Sequence, residues 1–218
     1  WRDIVDQHYE TVTVTNAYEV VEWIERHYLD VVDYADPAHP TPRQPVNIPG
    51  QLSGISHEGT LLYTLARRDE GTTTSARYLE ASAYDDVSVW LVDSMRLPDS
   101  GSPVLAAGTN IFLARSATSN EVAQIEAWTL VESTGRFTMR VAAPLPAPAH
   151  SLFDFREMLA VQTGSALNLL EVRTLHHLGS GTPPACVSGE VGHAAADPMR
   201  GLWVPLHDYG VQHIALQP

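Results

Sequence analysis

Apolar positions along this chain fall in short runs broken by Gly, Pro, Asp and Ser, and they rarely hold helical spacing for long. Apolar runs of about four to eight residues bounded by turn formers predict strands. One stretch has a helical rhythm: residues 17–29, "AYEVVEWIERHYL", where Val20, Ile24 and Tyr28 share helical spacing. Its Val, Trp, Ile and Tyr favour extended backbone, so a strand is expected there, with a short helix as the alternative. After Gly50 everything reads as short strands.

The strands recur. "GTLLYTLAR" begins at Gly59, "GTNIFLARS" at Gly108, "EMLAVQTG" at Glu157 and "GLWVPLHD" at Gly201, in steps of 49, 49 and 44 residues. Each run has a partner after it: "DVSVWLVDS", "VAQIEAWTL", "ALNLLEVRTL" and "GVQHIAL". Each also has a loosely matching segment before it: "QLSGISHE", "SPVLAA", "HSLFDFR" and "VGHAAADPMR". A repeat of about 40–50 residues built only of short strands is the signature of a propeller blade. A lone four-stranded sheet cannot bury both faces, so such modules must cover one another. The expectation is an all-β, β-propeller-like array of four-stranded antiparallel blades, with a β-sandwich as the alternative. Residues 1–49 would supply N-terminal strands forming a partial or closing blade. Residues 50–218 would form about four blades. A chain opening at Trp1 without Met is expected to be the C-terminal part of a longer protein. Missing blades would then come from other segments or subunits.

The segment 28–50, "YLDVVDYADPAHPTPRQPVNIPG", ends an apolar strand in Asp, turns through Asp-Pro-x-x-Pro, and leads through a second strand into Pro-Gly. Leu29, Val31, Val32, Asp33, Asp36, Pro37, Pro40, Ile48, Pro49 and Gly50 carry this pattern. It resembles the repeat of secreted bacterial β-propellers of the LVIVD type. A weaker second copy runs through Val92, Asp93, Pro98 and Pro103. Proline fixes φ and donates no ladder hydrogen bond, so such a turn ends one strand before the chain crosses to the next. The resemblance implies an extracellular, periplasmic or cell-surface location.

Charge narrows the partners. Across 218 residues the formal net charge is −13, and all 13 basic residues are Arg. A phosphate backbone needs a basic stripe, so the acidic balance argues against nucleic acid as a partner, and equally against anionic membrane surfaces. No apolar run is long enough for a membrane-spanning helix. With 44% hydrophobic residues the chain can bury a core, and its one cysteine, Cys186, rules out an internal disulfide.

No residue set spells out a reaction. The most polar cluster is C-terminal: His193, Asp197, His207, Asp208 and His213. His193, His207 and Asp208 are candidate ligands for a divalent metal ion, since imidazole and carboxylate suit zinc or copper, although their spacing fits no established motif. The plainer reading is that His207-Asp208 is turn chemistry and that His193 packs near the axis. His57, in "SGISHEG", is a candidate ligand-binding residue; the plainer reading of that stretch is a turn between strands. Ser56 beside His57 cannot make a nucleophile–base pair without a sharp backbone turn. His176 and His177 are strand neighbours and point to opposite faces, so they cannot chelate one ion. Asp85-Asp86 reads as a hairpin turn rather than a calcium loop. The five tryptophans are expected to pack between blades.

The function expected is therefore non-catalytic: a binding or scaffold propeller for a protein or glycan partner. The alternatives are a propeller enzyme — hydrolase, lyase or metal-dependent oxidoreductase — with its histidines at a channel mouth, and a structural subunit of a larger assembly.

Overall fold

A computed structural model describes residues 4–16, 18–69, 75–98, 101–118, 121–155, 158–164, 166–181, 195–197, 201–205 and 211–214. Among the described residues there is no α-helix; the only helical turn is a 3-10 turn at His57–Gly59. The chain divides into two compact units, one of residues 1–97 and 130–137, the other of residues 98–129 and 138–218.

The first unit opens with a long hairpin, β1 (Ile4–Asn16) and β2 (Tyr18–Asp30), paired antiparallel from end to end. Residues 18–29 of that stretch are thus a strand: their β-branched and aromatic residues prevail over the helical rhythm. Short strands β3 (Val32–Asp33) and β4 (Thr41–Pro42) pair across the Asp-Pro turn, and β5 (Val46–Ile48) pairs with His27, Tyr28 and Leu29 of β2. A four-stranded meander follows: β6 (Gln51–Ser56), β7 (Leu61–Asp69), β8 (Ser75–Tyr84) and β9 (Val89–Arg96). Leu29, Val31 and Ile48 pack against Leu62 and Tyr84 in one buried cluster, so the N-terminal strands cover one side of this meander.

The next meander runs β10 (Val104–Ala107), β11 (Asn110–Arg115), β12 (Gln124–Val131) and β13 (Arg136–Pro144). Its β12–β13 hairpin tip, residues 130–137, belongs to the first unit. A third meander comprises β14 (Ala149–Phe155), β15 (Met158–Thr163), β16 (Ala166–Glu171) and β17 (His177–Gly181). A three-stranded sheet closes the described chain: β18 (Ala195–Asp197), β19 (Gly201–Pro205) and β20 (Val211–Ile214).

Three consecutive antiparallel meanders of four strands, each complete before the next begins, define an all-β, propeller-like fold. A sandwich would instead interleave its strands between two sheets. Burial follows the same logic. The second strands, β7, β11 and β15, carry continuous buried runs, while the fourth strands β9 and β13 are mostly half-buried or exposed. A sheet centre that is apolar on both faces must be covered on both faces. In the second unit Phe112, Ala114, Ile125 and Ala127 share a core with Leu159, Val161 and Leu170, joining two successive sheets.

The sequence period marked the first hairpin of each module. Gly59 and Gly108 sit in the turns after β6 and β10 at φ 94° and 60°, left-handed backbone that glycine adopts without Cβ strain. Where the period named "DVSVWLVDS" as the partner of "GTLLYTLAR", the structure places β8 between them. Its sequence, "SARYLEASAY", is too rich in Ala and Ser to announce a strand, yet its middle is fully buried.

Candidate functional site

Loops at one end of the first meander, together with the segment entering it, build a cleft of about 410 Å³. Its floor is apolar: Leu29 and Val31 from the N-terminal strands, and Leu62 from β7. Ile55 flanks it, 43% exposed. Ser56 ends β6 and Glu58, Gly59 and Thr60 come from the β6–β7 turn, while Tyr84 ends β8 and Asp86 comes from the β8–β9 turn.

The β6–β7 turn is tightly bent. His57, Glu58 and Gly59 all take positive φ (51°, 57° and 94°), and Thr60 closes the turn by donating its N–H (3.1 Å) and hydroxyl (2.8 Å) to the His57 carbonyl. In the β8–β9 turn, Asp85 Oδ1 accepts hydrogen bonds from Val87 N–H (3.1 Å), Ser88 N–H (2.8 Å) and the Ser88 hydroxyl (3.1 Å). The Ser88 and then the Val87 backbone bonds stabilise the ionised carboxylate, which lies below its usual range. Asp86 follows at φ 74°. The Tyr84 N–H donates to the Thr60 carbonyl at 2.9 Å and locks the two turns together. Three of the four described non-glycine residues with positive φ therefore cluster here, and such backbone gathers at functional sites when the surroundings hold it in place.

The Asp-Pro segment supplies the third side. Asp33 accepts the Ala35 N–H (2.8 Å) and an Arg43 guanidinium N–H (3.1 Å), which hold its carboxyl below the usual range, the backbone bond acting most. Asp36 accepts the Ala38 N–H (3.0 Å) and faces His39 Nδ1 at 2.9 Å. Arg43 bridges Asp33 to Asp86 at the cleft, and its own N–H donates to the Val31 carbonyl at 2.8 Å. Tyr84 is 93% buried, being 7% exposed, and its hydroxyl has no well-formed hydrogen bond among the described residues. Burial and then the Asp86 charge push the phenol above its ordinary value, while the neighbouring Arg43 opposes them.

The histidine chosen from sequence stands on the rim. His57 turns its Nε2 to Glu132 at 3.3 Å, leaving its chain neighbours Ser56 and Glu58 to line the wall. The proposed metal ligands His193, His207 and Asp208 lie outside the described residues, as does Cys186. Among the described residues no group of three or more His, Cys, Asp and Glu side chains could hold a metal ion. In the second unit His176 and His177 are both exposed and border a hollow of about 540 Å³ with Pro144, Pro146 and Leu170. Of the three tryptophans whose side chains are described, two depart from the expectation of packing between blades. Trp90 is 49% and Trp203 42% exposed, the latter stacked on His213 at 4.3 Å between ring centroids. Trp128 is half-buried, and its indole N–H donates to buried Glu126 at 2.8 Å. Arg43 and Tyr84 were missed by sequence reasoning. The available signal was that Arg43 lies inside the Asp-Pro segment and Tyr84 directly precedes an Asp-Asp turn.

No family model matches the chain, and no curated protein matches it. Among solved structures, the crystal structure of Kluyvelomyces marxianus Hsv2 is similar over 92% of this chain and 69% of that one, with 10% sequence identity and a TM-score of 0.49.

Proposed function

We propose that this chain is a non-catalytic binding module built on propeller-type blades of the LVIVD kind, working at the cell surface or outside the cell on a protein or glycan partner. The observation that carries it is the cleft: an apolar floor, a few convergent polar groups, and loops held in unusual backbone by a rigid sheet, which is the usual anatomy of a binding site. The Asp-Pro pattern supports the LVIVD part of the reading, since Asp33 and Asp36 both cap turns in that segment.

The test places a photo-crosslinking amino acid at Ile55, on the exposed lip, and applies the full chain to intact, unpermeabilised source cells. A discrete adduct from position 55, not formed from a control at exposed Arg173, is the expected result. Identical adducts from both positions would overturn the site, and adducts appearing only after lysis would overturn the location.

A further inference from the structure

We infer that the cleft receives a basic segment of a partner polypeptide, with one large apolar side chain against Leu29, Val31 and Leu62 and one Lys or Arg head group at Glu58. This rests on the binding-module reading and adds the chemistry of the partner. The floor is aliphatic, which suits an apolar side chain. Sugar hydroxyls would meet few polar partners there, and the ring that lines the cleft, Tyr84, is buried rather than presented as a stacking face.

Charge selects the rest of the occupant. The charged groups in the wall are two carboxylates, Glu58 and Asp86, and no Arg or His lines it. Asp86 is taken by Arg43, which also holds Asp33. Glu58 has no such partner among the described residues, and its left-handed backbone fixes where it stands. A cation arriving beside Glu58 would find a carboxylate not yet neutralised, at the edge of apolar surface where its aliphatic stem is also buried. The chain's net charge of −13 steers basic partners toward it at low salt.

The probes are fluorescein-labelled peptides with alternating Leu and Arg, and a control of the same length with Glu in place of Arg, titrated against the full chain by fluorescence anisotropy. The basic peptide should bind and weaken as salt is raised, and the acidic one should not bind. Glu58→Asn, which keeps a residue tolerant of left-handed backbone, should weaken binding about fivefold, as for an exposed ion pair. Ile55→Ser should weaken it about tenfold through lost apolar contact. Circular dichroism checks that both variants keep the fold, and the Glu58→Asn arm stands alone if Ile55→Ser does not. Equal binding of the acidic peptide, or an unchanged curve for Glu58→Asn, overturns the inference. Failure of the basic peptide together with a discrete adduct at position 55 defeats the ligand class and leaves the binding module standing; failure of both defeats both.

Discussion

Glu80 has no exposed surface, yet it carries a carboxylate in the middle of β8. Arg68 from β7 reaches it, and the Ser94 hydroxyl lies 3.5 Å from the same oxygen, while the second oxygen has no hydrogen-bond partner among the described residues. Arg68 is itself 47% exposed and also lies over the Tyr78 ring at 4.6 Å. The two ends of this pair are therefore unequal. Removing the arginine leaves a buried, uncompensated charge, whereas neutralising the glutamate leaves a cation that water can still reach. Arg68→Ala should cost about 3 kcal/mol or more, and Glu80→Gln clearly less, both read from urea unfolding. Equal losses would show that the pair behaves as an exposed one. The same device recurs in the next meander, where Glu126, 2% exposed, meets Arg115, Gln124 and Trp128. In the third, Asn168 stands opposite Val161 and donates to the Thr163 hydroxyl at 2.7 Å.

At the scale of elements, the Asp that closes each apolar run of the "VVD" and "LVD" type was legible, but its partner was not. Asp33 meets Arg43, ten residues on. Asp93 meets a hairpin 43 residues away, accepting the Phe137 N–H at 2.7 Å and an Arg136 guanidinium N–H at 3.2 Å. Nothing in a linear pattern announces a contact across that separation. Asp93 is 11% exposed, so its carboxylate has exchanged most of its water for these donors. Asp93→Ala should release residues 130–137, raising their hydrogen-exchange rates while β7 and β8 stay protected. A tip as protected as before would mean that backbone pairing alone holds it. The period of Gly-led runs was legible because turns need glycine and buried strands need apolar residues, and both demands are local. Strand β8 was not, because a strand covered on both faces can be built from small residues such as Ala81 and Ser82 with no alternation to read. The cleft was half legible. The turn at "SHEG" could be read, but its orientation, with Glu58 in the wall and His57 on the rim, depends on three successive positive φ values.

The whole molecule should be most stable in a neutral window, for separate reasons on each side. Asp33, Asp36, Asp85 and Glu171 are all held below their ordinary values of 3.8 and 4.5 by loop hydrogen bonds. Their contribution is present above those values and fades as acid protonates the folded carboxylates. Asp36 and Asp85 are exposed and Asp33 and Glu171 only half-buried, so the acid-side loss should be shallow. The alkaline side is steeper. Tyr63 is 1% exposed, and burial raises its phenol from 10.0 to about 12. The unfolded chain then ionises first. The Tyr63 contribution is complete below pH 10 and disappears as pH rises toward 12, a loss of about 2–3 kcal/mol. Added negative charge on a chain already at −13 pushes in the same direction, so wild type must be compared with Tyr63→Phe rather than with itself. Urea midpoints measured from pH 8 to pH 12 should fall more steeply for wild type than for Tyr63→Phe once pH passes 10. Parallel curves would place the alkaline sensitivity in the net charge alone and remove Tyr63 from the account.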